Sequence, residues 1–250
     1  MRWSLEQGMV VRRVGSGPRV VWIHGLGESS VSFEASLPKL PGYTHVLVDL
    51  PGCGRSAWPD RAASIEETAD ALATWLANDP PAVLIGHSLG GVIATLVAER
   101  TPVRGVIDID GNLTRGDCTF SSAASAYSYD AFVSHGFEEM RKQIYADGAT
   151  RADLRGYHAA LMFASPHVFH RHAGELVELS MTSTLASRLA TLGTKALFLT
   201  GATDGICPDS RAQLDAHLVP WIGIEGAGHW VYVDRPEPFT AEVARFLQAS

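Results

Sequence analysis

The feature that most constrains the fold is a repeated alternation of short apolar runs with longer helical patterns. The apolar runs are rich in Val, Ile and Leu and lack alternating polar positions, so both faces of each predicted strand would be buried. Buried strands joined by helices indicate an α/β fold with a mostly parallel sheet covered on two sides. The predicted strands are 20–24, 45–50, 82–87, 104–110, 195–201 and 221–226, and the predicted helices between and after them are 32–40, 65–78 with Ser64 as N-cap, 89–100, 210–218 and 237–249.

The alternation stops between residues 112 and 182. This segment has helical patterns at 129–147 and 151–164 but no convincing strand. Because strands resume only after it, we interpret it as a helical cap over the carboxyl ends of the strands, where such sheets bind ligands. The chain of 250 residues would then comprise an α/β core, 1–111 with 183–250, and a cap insertion, 112–182.

Charge and cysteine content exclude several classes of function. The formal net charge is −7 with no basic run, which argues against nucleic acid and anionic membrane surfaces as partners. Cys53, Cys118 and Cys207 are far apart and odd in number, so they predict neither a disulfide framework nor a paired-cysteine metal site. Neither a secretory signal nor an apolar run long enough to span a membrane is evident. These observations predict a cytoplasmic protein with reduced thiols, and they leave its oligomeric state open.

The sharpest local signal is Gly86-His87-Ser88-Leu89-Gly90, which follows one predicted strand and opens the next predicted helix. So tight a reversal forces Ser88 into a strained backbone conformation, and only small residues at 86 and 90 allow the neighbouring backbones to approach. The Ser88 hydroxyl would then lie at a helix N-terminus, where a developing anion is favoured. This arrangement predicts a serine nucleophile.

A second glycine-rich turn, His24-Gly25-Leu26-Gly27, directly follows the strand 20–24. Acyl transfer needs two backbone N–H groups that bind the tetrahedral oxyanion, one of them from the residue after the nucleophile. The sequence therefore predicts the amides of Leu26 and Leu89 as the oxyanion hole. We interpret His24 as a buried histidine that fixes this loop rather than as a catalytic group.

The predicted base and its carboxylate come late in the chain. His229, in the glycine-rich turn GAGHW after the last strand, is suited to present an imidazole to Ser88. Asp204 follows the strand 195–201 and completes the chain order Ser, Asp, His, so we favour it as the carboxylate that orients His229. Asp110, at the end of strand 104–110, is the rival. Trp230, beside the predicted base, is the aromatic residue expected to contact substrate.

Together these motifs identify the chain as similar to the α/β-hydrolase superfamily over essentially its whole length. The residues that carry the resemblance are HGLG (24–27), DLPGCGRS (49–56), GHSLGG (86–91), GATDGICP (201–208) and GAGHW (226–230). The resemblance implies an eight-stranded, mostly parallel sheet flanked by helices, a helical cap, a Ser-His-Asp triad and no cofactor. It also implies antiparallel opening strands within residues 4–14. His167, His170 and His172 resemble a metal cluster, but their spacings of three and two do not place all three on one helical face, so we expect no metal there.

The chemistry expected from this site is hydrolysis of a small-molecule carboxylic ester, or of a related thioester or lactone, through an acyl-enzyme on Ser88. A serine nucleophile argues against the dehalogenases and epoxide hydrolases of this superfamily, which resemblance associates with an aspartate at that position. Two alternatives stay open: a ligand-binding receptor of the same fold with slow turnover, and an acyltransferase. The acyl and alcohol specificity is not readable from the sequence.

Overall fold

One mixed sheet organises the protein, for which a computed structural model describes residues 2–249. Its eight strands lie in the order β1-β2-β4-β3-β5-β6-β7-β8. The first two pairings, β1 with β2 and β2 with β4, are antiparallel, and all the others are parallel. The strands are β1 (Arg2–Glu6), β2 (Met9–Gly15), β3 (Arg19–Ile23), β4 (Thr44–Asp49), β5 (Val83–His87), β6 (Gly105–Ile109), β7 (Ala196–Gly201) and β8 (Trp221–Ile224).

Helices connect the parallel strands. The α-helices are α1 (Ile65–Leu76), α2 (Leu89–Ala98), α3 (Thr119–Ser125), α4 (Tyr129–Ala131), α5 (Phe137–Asp147), α6 (Ala152–Leu161), α7 (Pro166–Met181), α8 (Leu185–Ala190), α9 (Pro208–Ala216), α10 (Val231–Asp234) and α11 (Pro236–Gln248). The 3-10 helices are Ser30–Lys39 and Arg115–Asp117, and a π-helical turn spans Phe132–Gly136. None of the helices within residues 2–249 is both long and apolar enough to cross a lipid bilayer.

The predicted α/β sheet is confirmed, including its antiparallel opening strands. Every residue of β5 and β6 is buried, which explains why these strands read as unbroken apolar runs. The N-cap of α1 is also confirmed: the Ser64 hydroxyl accepts from Glu67 N at 2.9 Å, and Glu67 Oε2 accepts from Ser64 N at 2.8 Å. The core positions and the first helix boundary therefore follow from local sequence.

Two predicted helices differ in type. The helix predicted at 32–40 is a 3-10 helix, Ser30–Lys39, which contains Pro38, a residue with no N–H to donate inside an α-helix. The pattern at 129–147 is interrupted by the π-helical turn. Because an extra residue per turn brings positions five apart onto one side, Phe132 and Phe137 are both buried, with ring centroids 5.7 Å apart.

The segment between β6 and β7 is helical and contains no strand among its residues, all of which the structure describes. Its helix α7 is anchored to the core, since Glu175 Oε2 accepts from Ile65 N at 2.7 Å and His172 Nε2 donates to the Ala63 carbonyl at 3.0 Å. Its residues Phe120 and Tyr157 line a cavity that Ser88, next to the carboxyl end of β5, also borders. The role of this segment as a cap stays a prediction.

Candidate active site

Ser88 occupies the sharp turn between β5 and α2. Its backbone has φ 53° and ψ −121°, a left-handed conformation that costs a non-glycine residue free energy. A Cβ on Gly86 would lie 2.0 Å from the Gly90 carbonyl oxygen, and one on Gly90 would lie 2.2 Å from the Ile23 carbonyl oxygen. These contacts require glycine at both positions. The geometry is the strained strand-to-helix turn expected for an activated serine.

The imidazole of His229 is paired with Asp110. His229 Nδ1 lies 2.5 Å from Asp110 Oδ2, and the Asp110 side chain is 2% exposed. An ionised carboxylate only accepts, so Nδ1 carries a proton and Nε2 is left as the basic nitrogen. Asp110 itself has φ 50°, and Thr200 Oγ1 donates to its other oxygen. The carboxylate of the site is therefore buried and held from two sides.

The preference for Asp204 as the orienting carboxylate was wrong: the structure pairs Asp110, the rival candidate, with His229. Asp204 is exposed, and its backbone forms an isolated parallel bridge with Gly228. Both aspartates lie between Ser88 and His229 in the chain, so chain order could not distinguish them. What distinguishes them is the sheet: β6 is the immediate neighbour of β5, and Ser88 N donates to the Ile109 carbonyl at 2.8 Å.

The pairing with Asp110 sets the basicity of His229. Burial alone would lower the pKa of His229, but the hydrogen bond and the negative charge of Asp110 outweigh it, so the pKa is raised above its usual 6.5. Its side chain is still 27% exposed. A raised pKa makes the imidazole a stronger proton acceptor, as a general base for a serine hydroxyl requires.

Ser88 and His229 line the same cavity, which is small, with a volume of about 30 Å³. Phe120, Tyr157 and Trp230 form aromatic walls, with the Tyr157 and Trp230 ring centroids 5.2 Å apart. The Ser88 hydroxyl donates to Asn112 Oδ1 at 3.3 Å. The cavity therefore brings together the predicted nucleophile, the predicted base and Trp230, the residue predicted to contact substrate.

The loop predicted to form the oxyanion hole borders this cavity through Gly25 and Leu26. Leu89 is the first residue of α2, directly after Ser88. His24 is fully buried and bridges two loops: its Nε2 accepts from Leu50 N at 3.0 Å, and its Nδ1 lies 2.8 Å from the Gly25 carbonyl oxygen. His24 thus fixes the loop, as the sequence indicated. The binding of an oxyanion by these amides stays a prediction.

Comparison with known proteins assigns the family. Residues 20–242 match the model of the alpha/beta hydrolase family. The chain belongs to this family. A pimeloyl-[acyl-carrier protein] methyl ester esterase of Xylella fastidiosa (strain M23) is 28% identical over 96% of this chain and 98% of its own length. The esterase of the same name from Edwardsiella ictaluri (strain 93-146) is 29% identical over 93% of this chain and 94% of its own.

Solved structures share the fold of this alpha/beta hydrolase. A thermophilic esterase from Thermogutta terrifontis, described with malate bound, superposes with a TM-score of 0.76 at 21% identity, covering 96% of this chain and 93% of that one. At this level of identity the likeness demonstrates the common fold. The predicted α/β-hydrolase architecture is thereby confirmed.

Several residues around the cavity of this hydrolase escaped the sequence prediction. Asn112 contacts the Ser88 hydroxyl, and Phe120 forms a wall. Glu28 and His87 are buried beside the cavity and hydrogen-bonded to one another at 2.9 Å. His87 lies within the motif GHSLGG and Glu28 directly follows HGLG, so their position in the chain was the available signal. Asn112 and Phe120 belong to the segment between β6 and β7, whose path could not be predicted from the sequence.

The α7 histidines and the three cysteines are the remaining groups of the hydrolase that the sequence singled out. His167, His170 and His172 on α7 have separate partners: the Tyr129 hydroxyl, the Tyr127 carbonyl and the Ala63 carbonyl. Cys53, Cys118 and Cys207 are free thiols. Burial raises the pKa of Cys53 to about 12 and also raises that of Cys118, so neither forms a thiolate readily near neutral pH.

Proposed function

We propose that this protein is a serine hydrolase that cleaves a carboxylic ester, with Ser88 as nucleophile, His229 as general base and Asp110 as the carboxylate that orients it. His229 Nε2 removes the proton of Ser88 Oγ as that oxygen attacks the ester carbonyl carbon. The amides of Leu26 and Leu89 stabilise the resulting oxyanion. The tetrahedral intermediate then collapses to an acyl-enzyme, and the leaving alkoxide takes the proton from His229.

The second half of the reaction reuses the same groups. His229 removes a proton from water, and the hydroxide that forms attacks the acyl carbonyl carbon. Collapse of the second tetrahedral intermediate breaks the bond to Ser88 Oγ, which takes the proton back from His229 and releases the carboxylic acid. Asp110 stabilises the imidazolium in both halves.

The observation that supports this proposal best is that a strained serine and a carboxylate-paired histidine line one cavity. The family match and the relatives that are pimeloyl-[acyl-carrier protein] methyl ester esterases support ester hydrolysis in particular. A reactive fluorophosphonate tests the assignment of the nucleophile. We expect stoichiometric labelling at Ser88, located by peptide mass spectrometry, together with loss of p-nitrophenyl ester hydrolysis.

Ser121 provides a matched control, because it is buried and lines the same cavity. Labelling should disappear in Ser88→Ala and persist in Ser121→Ala. No labelling of the folded wild-type protein would contradict the enzyme assignment and favour the ligand-binding receptor. Formation of a new ester or amide with added alcohols or amines, at the expense of free acid, would identify an acyltransferase instead.

The size of the cavity also suggests the kind of substrate. A volume of about 30 Å³ accommodates a small group beside Ser88, and a long chain would need the helical segment to move. We propose that one side of the ester is small: either a short acyl group or, as in the methyl esters named for the relatives, a small alcohol. The two alternatives differ in which side of the ester, the acyl group or the alcohol, can be a long chain.

Two series of substrates test this reading. One lengthens the acyl chain of p-nitrophenyl esters, and the other lengthens the alcohol on a fixed long-chain acid. We expect kcat/KM to fall steeply in one series, which identifies the group seated in the cavity. Equal rates throughout both series would contradict a small site.

The three free thiols fit the predicted reducing, cytoplasmic compartment, which we retain as part of this proposal.

A further inference from the structure

The Ser88 hydroxyl has a polar neighbour outside the triad, the side chain of Asn112. Asn112 is 3% exposed and lines the same cavity as Ser88 and His229. Its Oδ1 accepts from Ser88 Oγ at 3.3 Å. Ester hydrolysis as proposed above uses no such group, yet a buried side chain this close to the nucleophile will contact the atoms that react there.

Hydrogen bonds on the far side of Asn112 fix which end of the amide faces Ser88. Its Nδ2 donates to the backbone carbonyl of Asp117 at 3.0 Å, and the Cys118 sulfur lies 3.8 Å from the same nitrogen. A backbone carbonyl only accepts, so a flipped amide would set two oxygens against each other at that distance. Asn112 therefore presents an oxygen to Ser88, and this oxygen accepts hydrogen bonds but donates none.

The sheet order places Asn112 on the side of the base. Asn112 follows β6, as does Asp110, the partner of His229. The predicted oxyanion loop follows β3, and β3 and β6 are the two neighbours of β5, which leads into Ser88. An acceptor beside the oxyanion would repel it. On the opposite side the acceptor faces the region where His229 protonates the leaving alcohol and where water then enters.

Acylation of Ser88 removes the hydrogen that Asn112 accepts. The single hydroxyl hydrogen passes to His229 as Oγ attacks, and the ester oxygen of the acyl-enzyme carries none. Asn112 Oδ1 is then a buried acceptor without this donor, which costs free energy until another donor takes its place. Water is suited to be that donor, because a cavity of about 30 Å³ has room for a water molecule.

We propose that Asn112 Oδ1 binds the hydrolytic water and so favours water over alcohols as the acyl acceptor. The inference rests on the proposed ester hydrolysis. One hydrogen of the water goes to His229 Nε2 as the oxygen attacks the acyl carbonyl carbon, whose π electrons move to the oxyanion. The other hydrogen stays on the attacking oxygen and is donated to Asn112. Collapse breaks the bond to Ser88 Oγ, which takes the proton from His229, and the acid leaves with the second hydrogen.

The number of hydrogens on the attacking atom decides the selectivity. Water has two, so it gives one to His229 and donates the other to Asn112. An alcohol has one, which must go to His229, so its oxygen would face Asn112 Oδ1 with a lone pair. Hydrazine has two hydrogens on each nitrogen and satisfies both residues, as water does. Asn112 should therefore disfavour acyl transfer to alcohols but not to hydrazine.

Asn112→Leu tests the proposal, because leucine has the same branched shape and no acceptor. With p-nitrophenyl acetate, the burst of p-nitrophenolate measures acylation, and the steady state that follows measures deacylation. We expect deacylation to slow by about 5- to 20-fold, the effect of losing one hydrogen bond, while acylation changes by less than about threefold. A larger burst should result. A merely structural role of Asn112 would change both steps alike.

The partition between water and an added nucleophile is independent of the amount of active enzyme, so partial unfolding does not change it. In Asn112→Leu, the ratio of methyl acetate to free acid formed in the presence of methanol should rise by about 5- to 20-fold. The ratio of acetyl hydrazide to free acid formed with hydrazine should change by less than about twofold, because water and hydrazine lose the same contact. Both ratios can be measured by NMR of the products.

Asn78, the other asparagine of the chain, provides the matched control, since it is exposed and its amide donates to the Thr74 carbonyl on α1. Asn78→Leu should leave the burst, the deacylation rate and both ratios as in wild type. A folded Asn112→Leu protein with an unchanged ratio of methyl acetate to acid would overturn the proposal. A wild-type protein that forms no acyl-enzyme would instead overturn the proposed ester hydrolysis.

Asn112→Ala replaces Asn112→Leu if the leucine variant does not fold, because alanine places no methyl group against the Asp117 carbonyl. The methanol ratio should rise in this variant too, and the hydrazine ratio should stay constant. An unchanged methanol ratio in folded Asn112→Ala would count equally against the binding of the hydrolytic water by Asn112.

Discussion

The loops after β6 and β7 each carry an aspartate at the same edge of the sheet, yet the two side chains have opposite surroundings. Asp110 is buried, and its two oxygens accept from His229 and Thr200. Asp204 is exposed, and the loop around it contacts the base loop through the backbone bridge to Gly228. The Asp110 carboxylate is placed to orient the His229 imidazole, whereas the Asp204 carboxylate is largely solvated.

The difference shows what a carboxylate needs in order to orient an imidazole. Asp110 N donates to the Leu199 carbonyl at 2.8 Å, and Ser88 N donates to the carbonyl of the preceding residue, Ile109, so the main chain at this point is tied to both neighbouring strands. Shielding from water strengthens the interaction with His229. A carboxylate at position 204 would interact through water, where the same interaction is much weaker. Burial and a rigid backbone therefore decide between the two aspartates.

The largest expected loss of kcat is that of Ser88→Ala, and the effects of the aspartate variants are compared with it. Ser88→Ala removes the nucleophile, so kcat for a p-nitrophenyl ester should fall by about 10⁶-fold, the loss found when a serine protease loses its serine. Measurement of kcat in purified, folded protein checks this expectation. Turnover at the wild-type rate would mean that the comparison of the two aspartates concerns the wrong site.

Asp110→Asn and Asp204→Asn form a matched pair that tests the comparison directly. Asp110→Asn removes the charge that stabilises the imidazolium and disturbs its tautomer, so kcat should fall by about 10⁴-fold, as for the corresponding change in a serine protease. Asp204→Asn should change kcat by no more than about twofold, because exposed substitutions usually cost about 0.5 kcal/mol or less. Reversed magnitudes would restore Asp204 as the orienting residue.

The pH dependence of activity sharpens the same contrast. His229 acts as a base only when neutral, so kcat/KM should rise with pH through its pKa, which Asp110 raises above 6.5. Replacement of Asp110 by Asn removes that charge, and the rise should move to lower pH. Asp204→Asn should leave the profile in place. A pH–rate profile of the residual activity in each variant decides the matter.

Stability depends on pH through the same pair, with a definite sign. The folded pKa of His229 is raised, so its interaction with Asp110 stabilises the fold fully below the unfolded pKa of about 6.5. That contribution is lost as pH rises through the folded pKa. We expect the free energy of unfolding of wild type, relative to Asp110→Asn, to decrease over this interval in denaturant titrations. An unchanged difference would contradict the raised pKa.

The sequence predicted those parts of the molecule that depend on local chemistry. Strands buried on both faces specified the sheet, and the glycine requirement at positions 86 and 90 specified the turn that presents Ser88. His229 was identifiable because it follows the last strand on a glycine-rich turn. In each of these cases the decisive constraint acts within a few residues along the chain.

Contacts that depend on which strands are neighbours in the sheet were not predictable in this way. Asp110 and Asp204 both follow strands, and only the sheet order and the left-handed backbone at Asp110 direct one of them to His229. Glu28 also reads as an ordinary charged loop residue, although its partners His87, Trp230 and Tyr232 come from distant segments. Burial of a charged group depends on the assembled fold, so no local sequence pattern predicts it.

The smallest expected effect concerns the support of Asp110 rather than the carboxylate itself. Thr200 is fully buried; its hydroxyl donates to Asp110 Oδ1 and accepts from Ile206 N at 3.2 Å. Thr200→Val keeps the shape of the side chain but leaves Asp110 Oδ1 and Ile206 N without this hydrogen-bonding partner. The free energy of unfolding should therefore decrease by about 1–2 kcal/mol, and kcat should fall about three- to tenfold. Thr203→Val, an exposed change beside Asp204, is the matched control and should alter neither quantity. If both variants behaved alike, then burial around Asp110 would not be what gives that carboxylate its advantage over Asp204.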